Sequence, residues 1–183
     1  MRSKLSLAIG SLLLAGITAS AALAQQVSKE PVEGIRNLAR LETTVACAGA
    51  ITAEAVPEIK KMGFASIVNL RLATERGADV EKQEAAAKAA GLRYFHVPFD
   101  GSPDPVAADR FLTAITSPGA EPAFIHCAGG NRAATMWLIK RLVVDRWDTD
   151  RAIAEAAALG QTSLPLRTFA IEFAQSRGRQ GPQ

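Results

Sequence analysis

Short apolar runs alternate with amphipathic stretches along most of the chain, and this alternation sets the expected architecture. Phe64 to Leu70, Leu92 to Val97 and Pro122 to His126 have apolar centres bounded by glycine or polar residues, and read as strands. Thr44 to Cys47 is a shorter one. Helix patterns lie between them: Thr52 to Met62, with Thr52 as N-cap and Gly63 as stop; Glu81 to Ala90, rich in Ala, Glu and Lys and stopped by Gly91; and Val106 to Thr116, with Pro105 in its first turn. A long apolar-rich helix over Asn131 to Arg146 follows the last strand. Asp150 to Leu159 and Pro165 to Gln175 add two terminal helices. Strands and helices alternating at this spacing predict an α/β fold, a three-layer α/β/α arrangement around a central, mainly parallel sheet.

The two ends read differently. Residues 25–40 have mixed composition and weak periodicity, and are taken as an N-terminal extension packing a short helix around Val32 to Leu38. The domain spans 41–176, and residues 177–183 read as a flexible tail. At the start, Arg2 and Lys4 precede an apolar run from Leu5 to Leu23 that ends in Ala22-Leu23-Ala24. A charged start, a leucine-rich middle and small residues in A-x-A spacing are those of a secretory signal peptide, residues 1–24, cleaved after Ala24. The competing reading is a lasting anchor, since the run approaches spanning length. Cleavage implies a periplasmic or secreted bacterial protein, with no stable membrane anchor afterwards.

Composition narrows the class. With 183 residues, 48% of them apolar, and two cysteines, the chain is neither disordered, collagenous nor a disulfide framework, and it suits one domain with its own core. The net charge of +3, taken over the whole chain, points toward nucleic acid. Removing Arg2 and Lys4 leaves 19 basic against 18 acidic residues, a net +1 that gives no nucleic-acid footprint. His126 and Cys127 are adjacent and His96 stands alone, so no metal-ligand spacing appears, and no cofactor is implied.

The chemistry concentrates in Phe124 to Arg132, where the last strand meets its helix. A cysteine at the carboxyl end of a parallel strand, just before a helix, lies under unpaired backbone N–H groups and the positive end of the helix dipole. That setting favours a thiolate nucleophile at Cys127. Gly129 and Gly130 let the loop curl so that its amides converge on one oxyanion, and Arg132 can grip two oxygens with its planar fork. The ordinary alternative is a buried cysteine beside a glycine-rich turn.

These residues resemble the cysteine-dependent phosphatases of dual-specificity type, whose signature is HCxxGxxR followed by Ser or Thr. More narrowly, the chain is similar to the bacterial phosphatase-like family related to the domain fused to beta-lactamase-like hydrolases, where HCxxGxR is the usual loop. The likeness runs from about Val45 to Gly160. It is carried by Ala55 to Phe64, Val68 to Arg71 with Glu75 after it, Gly91 to Pro98, and His126 to Arg132. The resemblance implies a cysteine-phosphatase-like fold, a phosphorylated or other oxyanionic substrate, Cys127 as nucleophile and Arg132 as phosphate clamp. The backbone amides of Ala128, Gly129, Gly130, Asn131 and Arg132 would form the cradle. Asp100, just past a neighbouring strand, is the candidate general acid and Asp104 the second, and either can instead begin a turn or cap the helix after Pro105.

Two features depart from the phosphatase signature. Four residues, Ala128 to Asn131, separate Cys127 from Arg132 where the signature has five, and Ala133 stands where Ser or Thr is expected. Four is also the spacing of rhodanese-like sulfurtransferases, so a persulfide carried on Cys127 is an alternative reading. A non-catalytic anion-binding module is another. Arg71 and Glu75 either pair to brace the loop or place Arg71 at the anion site. His126 is expected to bond backbone beneath the loop, and His96 to be an ordinary strand residue. Cys47 reads either as a small buried hydrophobe or as a thiol that joins Cys127 on oxidation.

Overall fold

The computed structural model describes residues 27–179, so residues 1–26, with the segment read as a signal peptide, and the last four residues lie outside the described residues. Six strands form one sheet: β1 (Val27–Ser28), β2 (Ala39–Leu41), β3 (Val45–Ala48), β4 (Ser66–Asn69), β5 (Arg93–His96) and β6 (Ala123–His126). Their order across the sheet is β1-β2-β3-β6-β4-β5. From β3 to β5 every pairing is parallel, with Ala48 beside His126 and His126 beside Asn69. The carboxyl ends of three strands therefore meet at one edge, where an open α/β sheet places its ligands.

Helices cover both faces, which is why β3, β4 and β6 are buried throughout and have apolar centres, with polar residues only at strand ends such as Ser66, Asn69 and His126. On one face, α1 (Val56–Lys61) and α2 (Val80–Ala89) pack Val56, Ile59 and Ala87 against Ala46, Ile67 and Phe124. On the other, α3 (Pro105–Ile115), α4 (Asn131–Val143), α5 (Thr149–Ala158) and α6 (Leu164–Arg179) enclose Phe111, Trp137, Ala156 and Phe169 with Cys47, Val68 and Ile125. The expected three-layer α/β/α architecture is the one found.

The differences are local. No helix forms over Val32 to Leu38. Arg36 N–H instead donates to Ala50 O, Arg36 O accepts from Gly49 N–H, and Gly34 O accepts from Thr52 N–H. Apart from one local bond, Ile35 N–H to Val32 O, the segment takes these backbone partners from the chain after β3 rather than from a helical turn of its own. Residues 27–40, expected as an extension, thus contribute two antiparallel strands to the sheet. The predicted helix at Thr52 to Met62 begins as a single 3-10 turn over Ala53–Ala55, and the Thr52 side chain makes no capping bond. Helix α4 ends at Val143, before Arg146 turns to a φ of 55°. Helix α6 continues beyond Gln175 into the expected tail.

Candidate functional site

Cys127 follows β6 directly, with its N–H donating to Ala48 O, and it is 1% exposed at the floor of the loop. Gly130 N–H donates to its Sγ at 3.1 Å. The neighbouring peptides point the same way for a simple reason. Ala128 O accepts from Ala50 N–H, and Gly129 O accepts from Asn37 Nδ2 at 3.1 Å, so both carbonyls face outward. In a trans peptide the next N–H points opposite to the carbonyl, which turns the amides of Gly129 and Gly130 inward. Gly130 holds a φ of 103°, a conformation that a side chain would strain, and α4 begins at the next residue. The inward amides of Gly129 and Gly130 thus make a concave turn above the thiol.

Arg132 lies in the first turn of α4. Its Nη1 donates to Glu75 Oε1 at 2.7 Å and its Nη2 to Glu75 Oε2 at 2.9 Å, while Nη1 also donates to Phe99 O. One N–H of Nη2 and that of Nε have no carboxylate or carbonyl partner among the described residues. That edge of the fork is the pair a tetrahedral oxyanion accepts from. Burial opposes the Arg132 cation. Hydrogen bonding to Glu75 and the closeness of the Cys127 sulfur outweigh it, and its pKa is raised.

Glu75 is the hub. The hydrogen bonds from Arg132 outweigh its partial burial, and with those from Leu72 N–H and Arg71 they hold its carboxyl at about 2. Arg71 donates from Nε to Glu75 Oε2 at 3.2 Å, from Nη1 to Gly77 O at 2.7 Å and from Nη2 to Arg76 O at 2.6 Å. Arg71 is therefore fully engaged in bracing residues 75–77, and the pairing alternative is the one found. The link from Glu75 onward to Arg132 was not foreseen. Its signal was present as an acid four residues after Arg71, but nothing local ties that acid to a cation 57 residues away.

The two candidate acids separate. Asp104 caps α3, accepting from the N–H groups of Val106 and Ala107, which is the capping alternative. Asp100 is exposed, and its Oδ1 accepts from Ser102 N–H at 2.7 Å. Its loop lies against the clamp: a Cβ on Gly101 would stand 3.6 Å from Arg132 Cδ. The Asn131 side chain turns away from the cradle to Thr162 and Ser163, and ties it to the turn before α6. The Thr135 hydroxyl donates to Asn131 O, within the helix.

His126 is fully buried beneath the loop, and neither ring nitrogen has a hydrogen-bond partner among the described residues, contrary to the expected backbone bond. Burial, then the charge of Arg71, lowers its pKa to about 3, so the ring is neutral. His96 Nε2 lies 2.8 Å from Arg71 O, bracing the same strand end. Cys47 is a free buried thiol, raised well above its usual pKa by burial and then by Cys127 and Glu155. Cys127 is also free. Among the described residues, no group of three or more His, Cys, Asp or Glu is placed to hold a metal, and no helix is long and apolar enough to cross a membrane.

Residues 37–144 match the family model for the phosphatase-like domain of beta-lactamase hydrolase-like proteins. A beta-lactamase hydrolase-like protein of Agrobacterium fabrum is 36% identical over 88 residues. That match covers 45% of this chain and about a fifth (20%) of the relative. Among solved structures, a DUF442 protein of Shewanella putrefaciens is similar at a TM-score of 0.64 and 16% identity, covering 79% of this chain and 95% of the other. TpbA of P. aeruginosa is similar at 0.60 and 18% identity, covering 87% and 99% respectively. A cysteine-to-serine variant of TpbA has been solved in complex with phosphotyrosine.

Proposed function

Since this chain belongs to the family of phosphatase-like domains of beta-lactamase hydrolase-like proteins, we propose that it is a cysteine-dependent phosphatase hydrolysing phosphate monoesters through a phosphocysteine intermediate. The observation that carries this reading is the Nε/Nη2 edge of Arg132, which has no carboxylate or carbonyl partner among the described residues and is held by Glu75 beside the inward amides and the Cys127 sulfur. The Cys127 thiolate attacks phosphorus, and the S–P bond forms as the ester P–O bond breaks. Arg132 and the amides of Gly129 and Gly130 carry the charge on the equatorial oxygens. Asp100 gives its proton to the leaving oxygen, then takes one from the water that cleaves the S–P bond. A phosphorylated substrate agrees with the phosphotyrosine complex of TpbA. Residues 1–24 as a cleaved signal would place this activity in the periplasm or outside the cell.

The test is phosphate release from an aryl phosphate by the reduced protein. Cys127→Ser is expected to abolish release, and Asp100→Asn to lower kcat by ~10²–10⁴-fold. Asp104→Asn, which affects only a helix cap, should leave kcat unchanged. Equal activity of Cys127→Ser and the parent would overturn the reading.

One observation favours a second reading. Only four residues lie between Cys127 and Arg132, Ala133 has no hydroxyl, and Thr135 bonds within its helix, so nothing at these positions assists departure of the sulfur from a phosphocysteine. If the parent releases no phosphate but forms a persulfide on Cys127 from thiosulfate, the protein is a sulfurtransferase.

A further inference from the structure

A cavity of about 500 Å³ lies beside the cradle, on the flank away from Asp100, and has no part in the chemistry above. Two of its lining residues, Gly129 and Gly130, belong to the cradle itself. The rest of its wall is mixed: Pro31, Ile35 and Leu38 of the N-terminal segment and Leu159 after α5 supply its apolar part, and Lys29, Glu30 and Asn37 its polar part. The cavity shares the carboxyl edge of the parallel strands with the cradle. Ala39, which also lines it, pairs with Cys47 near the end of β3, and Asn37 bonds Gly129 O.

We propose that this cavity is a leaving-group subsite, receiving the organic portion of an ester whose phosphoryl group occupies the cradle. The inference rests on the phosphatase reading and adds a substrate class to it. Lys29 and Glu30 are adjacent in the lining and of opposite sign, so the wall carries no cluster of cations that would select a second phosphate. A wall of mixed polar and apolar character with charges of opposite sign suits a neutral, partly apolar group rather than an ion. The volume falls in the ~300–1,000 Å³ range of small-ligand pockets, which suits a compact alcohol or phenol. The ester oxygen then faces the Asp100 loop while the organic body leans across Gly129 and Gly130. Glycine at 129, where an added Cβ would meet nothing within 4 Å, leaves that path free of a side chain.

The experiment measures calorimetric affinity of Cys127→Ser protein for inorganic phosphate, which fills the cradle alone, and for 2-naphthyl phosphate, which fills cradle and cavity. The naphthyl ester is expected to bind about tenfold or more tightly than phosphate. Adding Pro31→Trp, at an exposed lining position, should remove that gain and leave phosphate affinity within about twofold. Lys29→Trp, at a second exposed lining position, should do the same and serves if the first variant folds poorly. If phosphate binds but the ester binds no better, or if both tryptophans leave the gain intact, the subsite is overturned and the cradle stands. If neither ligand binds, the cradle reading falls and the subsite with it.

Discussion

On the β4 side of the cradle, the loop is held by ions: Arg132, Glu75 and Arg71 are 12%, 21% and 5% exposed at their side chains and bonded in series. On the β3 side it is held by neutral groups alone, through Ala50 N–H to Ala128 O, Asn37 to Gly129 O, and Gly49 N–H to Arg36 O. The ionic flank aims a charged fork with high precision, but it depends on every member, because removing one strands the others in a poorly solvated place. The neutral flank sets the curvature of the cradle, and there the loss of a single side-chain hydrogen bond costs about 0.5–1.5 kcal/mol. Its sensitivity is to volume, since backbone strands approach one another where glycines face.

The largest effect should come from Glu75→Gln, which leaves two largely buried guanidinium groups without their shared carboxylate. Breaking a buried ion pair in this way costs about 3–5 kcal/mol. Thermal unfolding should therefore occur at roughly 10 °C lower temperature for a domain of this size. Phosphate affinity should fall with it, because the Nε/Nη2 edge is no longer fixed. A melting point unchanged within a degree or so would show that the ionic flank is not what holds Arg132.

Acid sharpens the contrast by acting on the two kinds of group in different pH windows. Glu75, held at about 2 against an ordinary 4.5, contributes stability that is present above pH 4.5 and lost as pH falls toward 2. His126 stays neutral when folded down to about pH 3 but takes a proton near 6.5 when unfolded. Between those values the unfolded state binds the extra proton, so stability declines as pH falls, by up to about 1.4 kcal/mol per unit. Between pH 6.5 and 4.5 the acid sensitivity of the loop region should belong to His126. Denaturant midpoints at pH 6.5 and 5 measure it, and His126→Phe should flatten the difference. A slope that survives in the variant would place the responsible group elsewhere.

How much of this was legible in the chain follows the same division. The parallel strands, their helices and the Cys127 loop were readable because each is a local pattern: an apolar run, a glycine stop, a nucleophile before a helix. Arg71 and Glu75 were readable as a pair for the same reason. The attachment of Glu75 to Arg132 was not, since it depends on β4 lying beside β6 and on the order of strands that brings them together. The N-terminal segment was misread as a helical extension because its backbone partners lie beyond β3, at Gly49 to Thr52, and pairing of that range leaves no periodicity in the segment itself. Asp100 and Asp104 differ only by what their carboxylates meet in space.

The smallest effect, and the one that tests the neutral flank, is expected from Gly49→Ala. The added Cβ would stand 3.0 Å from Ala128 O and 3.1 Å from Arg36 O, both backbone atoms. Neither can swing aside: Ala128 O is held by Ala50 N–H, and Arg36 O by the N–H of residue 49 itself. Relief must come from displacing the N-terminal segment or the cradle, at an overpacking cost of about 1–3 kcal/mol. If the β3 side sets the curvature, part of that displacement turns the Gly129 amide away from the anion. Phosphate affinity then falls by more than the modest loss of stability alone would explain at a temperature where the protein stays folded. Reduced stability with phosphate affinity intact would mean that the N-terminal segment yields instead, and that the curvature of the cradle comes from its own glycines rather than from the neighbouring strand.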